Sequence, residues 1–88
     1  MEEEFSREME RLGATVTVWE NDPHYTYAPH SHPYKKVLVC VAGSITFHTE
    51  WGDQTLAPGD RLVLEPGTVH SAEVGPSGVR CAEAHLAR

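Results

Sequence analysis

The spacing of apolar residues changes its period once along the chain. In EEEFSREMERL, residues 2–12, Phe5, Met9 and Leu12 recur at helical spacing, with glutamates early in the segment and Gly13 placed as a stop. This predicts one short amphipathic helix over residues 1–13, its apolar stripe packed on the rest of the fold or on a second subunit. From Ala14 onward the helical period is gone. Short β-like runs replace it: ATVTVWE, HYTYAPH, KKVLVCVA, SITFHTE, QTLA, DRLVLE, VHSAEV and VRCAEAHLA. They are punctuated by turn residues such as Asn21-Asp22-Pro23, Gly43, Gly52-Asp53, Pro58-Gly59, Pro66-Gly67 and Gly75-Pro76. Many short strands with regular turn signals predict an all-β barrel or sandwich over residues 14–88.

One of these runs is apolar on both faces. Between Lys36 and Ala42, alternation puts Leu38, Cys40 and Ala42 on one side and Val37, Val39 and Val41 on the other. A strand with one face in water should alternate with polar residues, so the outer valines need a cover. A second sheet or a second subunit would supply it, and a homodimer is the expectation.

Composition narrows the class of partner. A chain of 88 residues makes one small domain with room for one core and one site. Thirteen acidic against seven basic side chains give a formal charge of −6, a poor balance for binding nucleic acid. The amino terminus is acidic and no long apolar stretch follows it, so neither a secretory signal nor a membrane span is expected, and a cytoplasmic location follows by default. Cys40 and Cys81 do not form a C-x-x-C pair, and in a reducing compartment they read as buried free thiols. Neither has an activating neighbour on its own face, so neither is a nucleophile candidate.

The candidate chemistry lies in histidines. His30 and His32 in APHSHPYKK share a face of an extended segment, about two strand rises of ~3.3 Å apart, and two imidazoles so placed can converge on one metal ion. In the second half, GDRLVLEPGTVH, residues 59–70, reads as a turn, a short strand, a second turn at Pro66-Gly67, and His70 opening the next strand.

With those two stretches in view, the chain resembles a small single-domain cupin. The family's first motif is a glycine, H-x-H, an acid three or four residues on and a closing glycine; its second is G-D, a short strand, P-x-G and x-x-H. His30, His32 and Gly43 match the first motif, and Gly59, Asp60, Gly67 and His70 match the second. The resemblance covers about residues 28–72 and implies a double-stranded β-helix, the cupin jelly-roll barrel. It also implies a metal site built from His30, His32 and His70. Three imidazoles can hold Zn, Fe, Ni, Mn or Cu and leave positions open for water or substrate.

The departures bear on function. The family's acidic ligand position is Lys36, with Val37 at the other allowed spacing; the first motif's leading glycine is missing; and Glu65 stands where a proline is usual, with Pro66 one place later. Parity with His30 and His32 points Lys36 inward and Lys35 outward, unless the turn at Pro33-Tyr34 slips the register or the long stem runs past the rim to water. An inward ammonium leaves two outcomes open. A metal binds while Lys36 turns neutral, and so becomes a candidate catalytic base, or bends away. Alternatively no metal binds, and Lys36 with the histidines makes a basic pocket for a carboxylate or phosphate.

Tyr25 and Tyr27 are candidates for lining the same pocket. His24, His48 and His85 read as surface histidines, Trp51 as a partner contact or turn packing, and Glu65 as solvated. Three functions remain: a metal-dependent cupin acting as a dioxygenase, isomerase or decarboxylase on a small organic molecule; a metal-free barrel that binds a sugar or small acid, similar to those of arabinose-type regulators; or a metal-holding or purely structural dimer. The preferred expectation is a metal-binding cupin of undetermined activity that acts on or binds a small organic molecule in the barrel.

Overall fold

A computed structural model describes residues 1–87; Arg88, the last position of the expected barrel, lies outside them. The order of elements is α1 (Glu2–Arg11), β1 (Val16–Asn21), β2 (Thr26–His30), β3 (Lys35–Thr49), β4 (Gly52–Leu56), β5 (Arg61–Leu64) and β6 (His70–Leu86). Two pairs of short runs expected from the sequence are each one long strand. KKVLVCVA and SITFHTE join as β3, and VHSAEV and VRCAEAHLA join as β6.

Glycine explains how strands that long stay in so small a barrel. β3 and β6 pair antiparallel from Lys35↔Leu86 to Thr49↔His70, with register shifts at Cys40/Ala42 and at Gly43/Ile45. Gly43 has φ 73° and Gly78 has φ 79°, backbone conformations that side chains disfavour. A Cβ at Gly43 would lie 1.9 Å from the Gly78 carbonyl oxygen. Only glycine allows the two strands to bend together at that crossing. The same bulge turns Ala42 to solvent, so it leaves the inward face it was expected to share with Leu38 and Cys40.

The bend divides each long strand between two layers. The half of β3 before Gly43 pairs with β5 and with the later half of β6, on whose other side β1 lies. The half after Gly43 pairs with β4 and with the early half of β6, which also takes β2. Two four-stranded layers sharing their central strands make the double-stranded β-helix. Between them lies a core that includes Leu38, Cys40, Ile45, Phe47, Val74 and Cys81.

A second cluster sits outside the barrel. Phe5 and Met9 of α1 are buried together with Val37, Val39, Ala82 and Ala84 on the outer face of β3 and β6. Arg61 fastens the helix, its guanidinium 5.2 Å from the Phe5 ring centroid and its Nη1 2.8 Å from Glu8 Oε2. The cover that Val37 and Val39 need is therefore the chain's own helix, and the argument from those valines to a homodimer falls. Leu12, expected in the same stripe, is 62% exposed because the helix ends at Arg11 and its cap turns away. Among the described residues no helix is long and apolar enough to cross a membrane.

Cys40 and Cys81 are cross-strand partners, both buried and both free. Burial pushes the Cys81 thiol up to about 12 and raises that of Cys40. Both stay protonated at neutral pH and fill core volume.

Candidate metal and ligand site

The three histidines are brought together by backbone pairing. His30 ends β2 and lies opposite His70, the first residue of β6. His32 follows in the short connection to β3, and its carbonyl accepts a 2.8 Å hydrogen bond from the Gly67 N–H. Gly67, at φ 81°, belongs to the Pro66-Gly67 turn that delivers His70. The proline displaced by one position leaves this tie intact. The two motifs are thus joined by hydrogen bonds at both histidine segments, far apart as they are along the chain.

Ligand nitrogens of His30, His32 and His70 all lie within 4.8 Å of one another. Ring centroids are 4.8 Å apart for His30–His32, 4.4 Å for His30–His70 and 5.3 Å for His32–His70. Nδ1 of His30 sits 2.7 Å from the Ala28 carbonyl, and Nδ1 of His70 sits 3.0 Å from the Thr68 carbonyl. A carbonyl can only accept, so both Nδ1 atoms donate and each Nε2 keeps its lone pair. His32 Nδ1 is 3.1 Å from the Tyr34 hydroxyl. Nε2 of His32 and of His70 are buried with no hydrogen-bond partner.

Burial and neighbouring charges favour the neutral form of His32 and His70. Burial lowers the pKa of His32, and the charges of Lys36, His30 and His70 add to the shift. Burial also lowers that of His70, against the raising effect of the Thr68 carbonyl. Neutral imidazole is the form that ligates a metal.

The histidines form one side of a cavity of about 300 Å³. Trp19, Tyr27, Phe47 and Ala72 give it apolar walls, and Lys36 and Glu83 give it charge. Lys36 shares the inward parity of Leu38 and Cys40, as Glu83 shares that of Cys81. The Lys36 Nζ is 3.4 Å from Glu83 Oε1, with side chains only 13% and 11% exposed. Trp19 Nε1 donates to the same oxygen at 2.6 Å, and His85 Nε2 lies 2.6 Å from Glu83 Oε2. Burial works to raise the Glu83 pKa, but the His85 contact, the Lys36 charge and the Trp19 hydrogen bond together hold it below the ordinary carboxylate value. Glu83 is thus a buried carboxylate that stays ionised.

Of the expected pocket residues, Lys36 and Tyr27 line the cavity, and the Tyr27 hydroxyl donates to Asn21 Oδ1. Tyr25 does not. It is 48% exposed and faces a shallower groove beside the Gly43–Gly78 crossing, touching Tyr27 edge-on at 4.9 Å. It precedes the first residue of β2, and the preceding His24 has φ 65°, so the chain is still turning there. His24 is exposed, as expected. His48 lies outside the cavity, 2.7 Å from Asp53. Trp51 is 83% exposed at the β3–β4 turn, and Glu65 is exposed, 3.9 Å from Lys35.

His85 is exposed but is more than a surface histidine, since it contacts Glu83 and stacks on Tyr34 with centroids 4.0 Å apart. Tyr34 also stacks on His32, centroids 4.9 Å apart. Glu83, Trp19 and Tyr34 were not singled out in the sequence. Glu83 could have been: it lies two residues past the apolar Cys81, so strand alternation turns it inward.

Among solved structures, a protein of unknown function from Rhizobium leguminosarum bv. viciae superposes with a TM-score of 0.79 at 15% identity, covering 85% of this chain and 71% of that one. A protein with a double-stranded β-helix domain from Klebsiella pneumoniae gives a TM-score of 0.73 at 26% identity, covering 84% and 67%. A cupin-2 domain protein from Shewanella frigidimarina gives 0.70 at 14% identity, covering 81% and 68%. No curated protein matches the sequence. The family model of the AraC-like ligand binding domain matches residues 13–85, from the end of α1 almost to the end of β6. The chain is a small cupin and belongs to the family of AraC-like ligand-binding domains.

Proposed function

We propose that this barrel holds one divalent transition metal through His30, His32 and His70 and presents it to a small organic molecule in the adjoining cavity. The observation that carries the reading is the pair of buried, unpartnered Nε2 atoms on His32 and His70. A buried polar atom without a partner is costly, and a metal would engage both at once. The donor set fits: three imidazoles, two of them oriented through Nδ1 by backbone carbonyls, converging on one point. Zn, Fe, Ni, Mn or Cu bound there would supply Lewis acidity, and the redox-active ones electron transfer.

The chain's own residues shape the rest of the site. Trp19, Phe47 and Ala72 present apolar surface and exclude water, while Lys36 and Glu83 add a polar anchor. An ammonium facing a dication in a poorly solvated cavity would oppose metal binding by several kcal/mol, roughly 8 kcal/mol at about 4 Å for an effective dielectric near 20. Glu83 cancels most of that opposition, so an inward Lys36 and a metal are compatible. The test is metal titration of the double variant His30→Ala/His70→Ala beside the unaltered protein. Loss of uptake with an unchanged circular dichroism spectrum supports the site, and equal uptake removes it.

The family match favours a second reading, a barrel that binds its ligand with no metal. Ligand binding that survives exhaustive chelation would decide for it.

A further inference from the structure

The metal reading above leaves the ligand's chemistry open, and resting on that reading we infer that the ligand is a small carboxylate, recognised by the Lys36 ammonium, with Glu83 as the residue that positions Lys36. Among the described residues Lys36 is the one basic side chain other than histidine in the cavity wall, and its side chain is 13% exposed. An ammonium has three donors, and its ion pair is with Glu83 alone. Glu83 is held from other directions as well, by Trp19 at 2.6 Å and by His85 at 2.6 Å. The carboxylate is therefore fixed, and the ammonium it fixes keeps donors for a ligand.

Charge points the same way. Lys36 and Glu83 cancel, imidazoles that ligate a metal do so uncharged, and a divalent ion would leave the cavity two positive charges in excess. An anion neutralises that excess. The cavity of about 300 Å³, with Trp19, Tyr27, Phe47 and Ala72 around it, suits a ligand of few atoms with a short apolar or hydroxylated body. Carboxylate fits better than phosphate, because among the described residues no arginine lines the cavity and the single ammonium gives fewer donors than a phosphate dianion engages.

The experiment uses the full chain loaded with Co²⁺, whose visible absorption reports ligands at the metal. Glycolate and its neutral counterpart glycolamide are titrated into the unaltered protein, Lys36→Met, and Lys36→Met/Glu83→Gln. The double variant leaves the cavity's net charge unchanged, so it isolates the local contact and avoids stranding a buried carboxylate. We expect the unaltered protein to prefer glycolate over glycolamide. Both variants should lose that preference by about tenfold or more, as the loss of a charged hydrogen bond predicts, while Co²⁺ is still taken up. Uptake of Co²⁺ with the preference unchanged in both variants would overturn the role of Lys36 and leave the metal site standing. Absence of a cobalt band in the unaltered protein would overturn the metal reading and this inference together. Inorganic phosphate binding more tightly than glycolate would overturn the assignment to carboxylates.

Discussion

The Lys36 Nζ lies 3.4 Å from Glu83 Oε1 inside the barrel, a cation on β3 answered by an anion on the adjacent strand β6. Lys36 stands where the cupin motif has its acidic ligand, and an acid is still present in the cavity wall, supplied by a different strand. That acid pairs with the lysine. The histidine set meets without it.

Glu83→Gln therefore leaves Lys36 uncompensated, and metal affinity should fall by about tenfold or more. Lys36→Glu places two carboxylates in the cavity instead. It should bind metal more tightly than the unaltered protein and melt at a lower temperature when metal-free, because like charges then share a poorly solvated space. Competition titration with a chromophoric chelator, paired with thermal melts, checks both signs. Equal affinity in all three proteins would place Lys36 outside the influence of the site.

Acid should destabilise the metal-free protein in two steps. His32 and His70 have folded-state pKa values below their ordinary 6.5, so the unfolded chain takes up protons first as pH falls through that value. The stability these rings contribute is complete above about 6.5 and declines below it. Glu83 adds a second decline below its ordinary 4.5, since its folded-state pKa is also lowered. Urea melts across this range check the shape. In His70→Gln the upper step should shrink, and a profile identical to that of the unaltered protein would contradict the assignment.

Phe5 is fully buried although it belongs to the terminal helix. Phe5→Ala should cost about 3–5 kcal/mol in urea unfolding, the range for emptying a buried aromatic site. It should also uncover Val37 and Val39 and promote self-association, seen by sedimentation. A cost under about 1 kcal/mol would mean that α1 is not a working part of the core.

Gly43→Ala should be among the most destabilising single substitutions. It combines a left-handed backbone with a Cβ 1.9 Å from the Gly78 carbonyl oxygen. A loss of at least ~2 kcal/mol is expected, measured by thermal or urea denaturation.

How much of this was legible in the sequence follows from the range of the forces involved. Period and turn residues are local, so α1 and the strands could be read directly, and the two ordered motifs located His30, His32 and His70. Long-range facts were harder to reach. KKVLVCVA and SITFHTE looked like two strands because Gly43 reads as a turn, when it is a bend required by the approach of Gly78. The valines pointed to a partner subunit because nothing local shows that Phe5 and Met9 fold back over them. Tyr25 is expected to line the pocket with Tyr27 because both precede the histidine pair, an expectation that fails where the chain is still turning out of His24. Glu83 was missed because its meaning depends on Lys36, more than forty residues earlier.

The central claim is that His30, His32 and His70 bind a metal. Elemental analysis of the protein purified without chelator or added metal tests it most directly. The account predicts about one equivalent of a single divalent transition metal per chain, removed by chelation with a fall in melting temperature. A chain that carries no such metal, takes none up from excess Zn²⁺, Fe²⁺, Ni²⁺, Mn²⁺ or Cu²⁺, and melts at the same temperature throughout would contradict it.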